Sequence, residues 1–245
     1  MLKEKRIFQV RFEGPERFGK KDGIAAILCF IYEVIIIFLF GLLMFHTSIY
    51  TDFTIHFRNK FFYRLIFYIP MALVQVLPVF IYMKLNHQSI RSIGLKTDKI
   101  LKSVLLGILF SLPFILPNLV NEIRYQRPIT DLLSCFWQFL YFFLEIALIE
   151  ELVFRGFIQT RIQGLIKNKC LGILAAGLMF SLTHIPFQMI KANLSLTEFV
   201  VQNSIHLILL IFDHVYFTYI YTRNNNIASS TVAHALMDFI PSVLM

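Results

Sequence analysis

The 245-residue sequence is poor in charge. Asp, Glu, Lys and Arg make up 16% of it, against about 25% in an average soluble domain. A chain this apolar lacks the polar groups to cover a surface in water, which excludes an ordinary soluble globular protein. Cysteine is scarce as well. Cys29, Cys135 and Cys170 are odd in number and far apart, so they give neither a disulfide framework nor metal-ligand spacing. Each reads as a small apolar residue in a helix. No basic stretch is interleaved with aromatics in the manner of a nucleic-acid groove, so the net charge of +8 does not imply a nucleic-acid partner. No His-Glu-x-x-His run is present, which argues against soluble zincin chemistry. No inverted repeat of the kind that builds ion-coupled transporters is visible. No shift in composition divides the chain, so residues 1–245 read as a single transmembrane domain. The first 22 residues are polar and of mixed charge, and the apolar run after them is long enough to span, which predicts a retained anchor rather than a cleaved signal.

What is abundant is apolar bulk: 57% hydrophobic residues, 27 of them Phe, with a mean hydropathy of +0.68. Seven apolar runs, Gly23–Phe45, Phe61–Tyr82, Leu101–Val120, Leu132–Phe154, Leu171–Met189, Phe199–Tyr221 and Ile227–Leu244, each approach the length that crosses a bilayer. The expected fold is therefore all-α: a polytopic transmembrane helical bundle of about seven spans. Pro113 and Pro117 are expected to kink the third span. The segment Ser89–Lys102 is expected to lie along the cytoplasmic surface before that span.

Orientation follows from the cations. With seven spans, 17 of the 23 Lys and Arg residues fall on one side, including Lys3, Lys5, Arg6 and Arg17. The other six, among them Lys60, Arg64, Arg127 and Lys191, fall opposite. This asymmetry predicts a cytoplasmic N-terminus and a multi-pass protein of the cell membrane.

Ionisable groups inside apolar spans are costly and usually functional. The spans contain Glu33, Glu145, Glu150, Glu151, His184, His206, Asp213, His214, His234 and Asp238. Taken singly, Glu33, His206, Asp213 and His214 read as bundle contacts or polar pairs. Three groups read differently because they occur together. In Glu150-Glu151-x-x-x-Arg155, Glu151 and Arg155 are four residues apart and share a helical face. Glu150 is rotated by about 100° and lacks that counter-charge. The other two groups are Phe180-x-x-x-His184 and His234-x-x-x-Asp238, with His234 and Asp238 on one face. Two histidines and a free carboxylate on three spans are most economically explained by one shared site. Literal span boundaries put these groups at unequal depths; they level out if Gln159–Lys169 partly continues the fourth span.

Two chemistries stay open. In one, His184 and His234 bind Zn²⁺ or a similar ion with a carboxylate such as Glu150, leaving a position for water. In the other, Glu150 and His184 activate a water directly, and His234 with Asp238 stabilises an oxyanion. Ser181 and Thr183 flank His184 but have no orienting acid, which disfavours a serine nucleophile.

These three groups resemble the motifs of the CAAX protease and bacteriocin-processing family of intramembrane proteases, including type II CAAX prenyl endopeptidases. That family reads Glu-Glu-x-x-x-Arg, Phe-x-x-x-His and His-x-x-x-Asn, in this order. The resemblance covers roughly the C-terminal half, a catalytic core near 131–245. It implies peptide-bond cleavage in a membrane cavity, on a peptide or protein tail that is lipidated in eukaryotic relatives. Bacterial relatives include bacteriocin-maturation and self-immunity proteins, so a non-proteolytic immunity or scaffold protein of the same fold is the alternative. Carried over, Glu150 is the water-activating base, and His184 is its partner or a metal ligand. His234 is a ligand or oxyanion stabiliser, with Glu151, Arg155 and Phe180 in support. Asp238 stands where the family most often has Asn, and an ionised carboxylate cannot donate to an oxyanion. The active site is expected toward the cytoplasmic leaflet, in contact with membrane lipid.

Overall fold

The computed structural model describes residues 10–13, 18–125 and 131–244. The cations Lys3, Lys5, Arg6, Arg17 and Arg127 lie outside the described residues. Among those described there is no strand. The chain runs through α1 (Lys20–Phe45), α2 (Ile49–Thr54), α3 (Lys60–Leu85), a 3₁₀ turn (Ile90–Ile93) and α4 (Ile100–Tyr125). It continues through α5 (Leu132–Gly164), α6 (Lys169–Ala192), α7 (Leu196–Gln202), α8 (Ser204–Tyr221) and α9 (Ile227–Val243).

Local sequence sets these boundaries. Asn59, Asp131, Asn168 and Asn226 each accept a backbone N–H at the start of α3, α5, α6 and α9, meeting donors that a helix start leaves open. Ser195 and Glu198 form a reciprocal capping box on α7. Asn193, at φ 54°, turns the chain out of α6.

Six helices are long and apolar enough to cross a membrane: α1, α3, α4, α5, α6 and α8. This is a multi-pass membrane protein. The seventh expected span, α9, has 17 residues, short of the roughly 20 that cover a hydrocarbon core. Leu28, Leu73, Leu101, Leu105 and Phe212 stand more than half exposed on α1, α3, α4 and α8, as side chains facing lipid do.

Three sequence expectations need correction. The fourth span does not end at Phe154: α5 continues to Gly164, and every residue from Glu151 to Gly164 is buried. This helix is the axis of the bundle, so its polar second half is shielded by protein rather than by the interface. The run Phe199–Tyr221 is two helices, broken at Asn203 (φ −111°, ψ 15°), whose side chain donates to the Phe199 carbonyl. The segment after α3 does not simply skim a surface. Ile93 is fully buried, and Arg161 of α5 fastens the turn through Gln88 Oε1 (2.7 Å) and Ser92 Oγ (2.7 Å). Helix α4 runs on through both Pro113 and Pro117.

Gly107 and Gly156 are among the glycines that admit close approaches. A Cβ on Gly107 would lie 2.6 Å from the Ser229 carbonyl oxygen, where α4 packs along α9. A Cβ on Gly156 would lie 2.6 Å from the Ile93 carbonyl oxygen. Gly156→Ala therefore pushes the turn off α5, an overpacking cost of roughly 1–3 kcal/mol. The expected result is a lower unfolding temperature in detergent; an unchanged midpoint would show that the turn yields freely.

Candidate active site

From Tyr141 onward, α5 departs from a regular α-helix. Tyr141–Ala147 and Glu151–Ile158 are π-helical, separated by the α-helical residues Leu148–Glu150. Such widened turns in membrane and soluble helices concentrate at functional positions. Glu150 and Glu151 sit at the junction, so adjacent carboxylates leave the helix in different directions.

Glu151 turns inward. Its Oε1 lies 3.0 Å from Arg155 Nη1 and 3.0 Å from His234 Nδ1, and the side chains of Glu151 and Arg155 are fully buried. The Arg155 guanidinium is held over the rings of Phe180 (4.3 Å) and Phe217 (5.0 Å), a cation–π cradle suited to a planar cation. Phe217 in turn stacks on His234 (4.6 Å, 20° between planes), and Phe180 meets His184 edge-on (4.8 Å, 69°). The aromatic side chains thus lock both imidazoles against the buried ion pair.

Glu150 faces the other way, toward the two histidines. Its Oε1 is 4.0 Å from His184 Nε2 and its Oε2 is 3.9 Å from His234 Nε2. The Phe180 carbonyl can only accept, so its 2.8 Å contact places a proton on His184 Nδ1. His184 Nε2 is then free to accept in the neutral ring. His234 donates Nδ1–H to the Glu151 carboxylate, the arrangement that raises imidazole basicity and fixes its orientation. Its Nε2 lies 3.4 Å from Asp238 Oδ2. Glu150, His184, His234 and Asp238, drawn from α5, α6 and α9, therefore meet in one place. Phe180, Glu151 and Arg155 stand directly behind them.

All four open onto a cavity of about 430 Å³. Glu33, Glu145 and Asp213 line it too, as does His206. Read singly in the sequence, Glu33, His206 and Asp213 passed for bundle contacts. Nothing in their local spacing reveals that α1 and α8 wrap around α5, and only their position within spans was a signal. His214 is the exception: it is buried away from the cavity, 2.9 Å from Gln159 Oε1.

The expected metal is less well served. Imidazole and carboxylate are suitable zinc donors, and bonds of about 2.0–2.2 Å bring donors of one ion close together. Among the described residues, however, no group of three His, Cys, Asp or Glu side chains is arranged to hold a metal. As placed, the donor set does not fit the ion, and the chemistry below is derived without one.

One comparison with known proteins covers the segment that carries these residues. Residues 132–240 match the family model described as Rce1-like, type II CAAX prenyl endopeptidase Rce1-like. Neither the curated proteins nor the solved structures yield a match. The matched segment holds all of α5, α6, α7 and α8 and most of α9. It therefore includes Glu150, Glu151, Arg155, Phe180, His184, His234 and Asp238. Through residues 132–240, this chain is similar to the type II CAAX prenyl endopeptidase Rce1-like family.

Proposed function

We propose that this protein is an intramembrane endopeptidase that cleaves a peptide or protein tail near the cytoplasmic leaflet, using a water activated by Glu150 and His184. The observation that carries this reading is the separation of Glu150 from both histidines by 3.9–4.0 Å across a cavity. That span is too long for a direct hydrogen bond and suits one water shared between two acceptors.

The residues divide the work. A water lying between Glu150 Oε1 and His184 Nε2 gives one hydrogen bond to each. As its oxygen attacks the scissile carbonyl carbon, Glu150 takes the proton. The carbonyl oxygen becomes an oxyanion within reach of His234, which stays protonated between the Glu151 and Asp238 carboxylates and offers Nε2–H. When the C–N bond breaks, Glu150 returns its proton to the leaving amine. Asp238 competes for the His234 Nε2 proton until substrate arrives, so its carboxylate is compatible with a site where an amide is commoner. The catalytic core is assigned to 131–245, and the N-terminus to the cytoplasm.

The test is cleavage of membrane-presented peptide tails by purified protein in liposomes. Glu150→Ala, His184→Ala and His234→Ala are each expected to lose cleavage while remaining folded. If all three retained full function, the non-proteolytic scaffold or immunity reading would replace this one. Asp238→Asn is expected to stay within about tenfold of the parent, because the amide can still accept from His234 Nε2–H through its oxygen and adds a donor that can face the oxyanion. A loss as large as that of His234→Ala would instead make the carboxylate itself essential. Metal analysis of active protein checks the metal-free route, which predicts activity without stoichiometric metal.

A further inference from the structure

The cavity holds two further carboxyl groups besides the Glu150–histidine cluster and Asp213, and its polarity is one-sided. Glu33 sits midway along α1, 1% exposed. Gln75 of α3 donates to its Oε2 at 3.1 Å, while Oε1 has no hydrogen-bond partner. Glu145, in the first π-helical stretch of α5, is 6% exposed, and neither of its carboxyl oxygens has a hydrogen-bond partner. Both side chains line the same cavity. Among the described residues, no Lys or Arg lines it. Arg64 of α3, whose charge acts on Glu145, is not hydrogen-bonded to it: it donates to the Tyr141 hydroxyl (3.0 Å) and lies over its ring (3.9 Å).

Buried carboxyl oxygens without partners are expensive, the more so at mid-span depth. Proteins keep such groups where a ligand completes them. We infer that Glu33, oriented by Gln75, and Glu145 form a subsite for a basic side chain, Lys or Arg, carried by the peptide that enters the cavity. This inference rests on the peptidase reading of the same cavity and adds the chemical class of substrate to it. The cation would replace missing hydrogen-bond partners and offset negative charge, and its apolar stem would lie along the cavity's aliphatic walls. A neutral side chain of the same length would leave the carboxyl oxygens as they are.

The experiment measures binding rather than turnover, so that it stands apart from catalysis. Otherwise identical labelled apolar peptides carry Lys, norleucine or Glu at one position, moved stepwise along the peptide. They are titrated onto Glu150→Gln protein in nanodiscs. At one position the Lys peptide is expected to bind roughly ten- to a hundredfold more tightly than the norleucine peptide, with the Glu peptide weakest. Adding Glu33→Gln or Glu145→Gln is expected to pull the Lys-to-norleucine ratio toward one. Equal binding of Lys and norleucine peptides at every position overturns the subsite, whether or not the second variants fold. So does a preference that survives both. Failure of the wild-type protein to cleave any peptide, with the Lys preference intact, removes the peptidase reading and leaves the subsite standing.

Discussion

Glu150→Gln is expected to lower peptide cleavage by about 10²–10⁴-fold, the range a general base contributes, without lowering the unfolding temperature. The two halves of this expectation have different origins. Catalysis needs a group that takes a proton from water and gives it to the leaving amine, and a carboxamide does neither. Stability does not depend on Glu150 in the same way. Its side chain is 22% exposed, its nearest histidine nitrogens are 3.9–4.0 Å away, and its Oε2 has no hydrogen-bond partner. Removing a partly buried charge with no close partner costs the fold nothing and relieves some repulsion within an acidic cavity. Active sites commonly hold such groups at the expense of stability. Cleavage rate and thermal unfolding in detergent, measured on one preparation, check both. A marked drop in unfolding temperature would reassign Glu150 to the framework.

Arg155→Ala is expected to do the opposite and destroy the framework. Arg155 and Glu151 are both wholly buried, 3.0 Å apart. Removing one partner leaves an uncompensated charge in a low-dielectric interior, at a cost of about 3–5 kcal/mol. Two aromatic faces, those of Phe180 and Phe217, also lose the cation between them. Arg155→Lys does not rescue, because an ammonium lacks the planar face that stacks on both rings. The double variant Glu151→Gln/Arg155→Met removes the charge pair together and is expected to recover much of the stability. It is not expected to recover activity, since the carboxylate holding His234 Nδ1 at 3.0 Å is gone. Unfolding midpoints and cleavage rates of the three variants read these effects separately. Activity in the double variant would show that Glu151 serves the fold alone.

Glu150 and Arg155, five residues apart and expected to matter so differently to the fold, show what was legible beforehand. The i,i+4 spacing of Glu151 and Arg155 implies their pairing, and the roughly 100° between successive residues implies that Glu150 leads elsewhere. Apolar length predicted the helices. It overstated α9, which has 17 residues, and missed the break at Asn203. Hydropathy also ended the central helix at Phe154, because the polar run through Gly164 reads as interface when its surroundings are unknown. The π-helical turns left no local signal, since they arise from how α5 is packed rather than from residue preference. Glu33 and Glu145 were visible as intramembrane acids, but their place on the cavity wall depends on how α1 and α3 wrap α5, a long-range fact that spacing within one helix cannot carry.

The most direct measurement is cleavage of membrane-presented peptide tails by purified protein in liposomes made with ¹⁸O-water, read by mass spectrometry. The account predicts cleaved product from the wild-type protein with ¹⁸O in its new C-terminal carboxyl group, and no such product from Glu150→Gln protein that remains folded. Cleavage that persists undiminished in Glu150→Gln, or a wild-type protein that is folded yet cuts no tail, would contradict it.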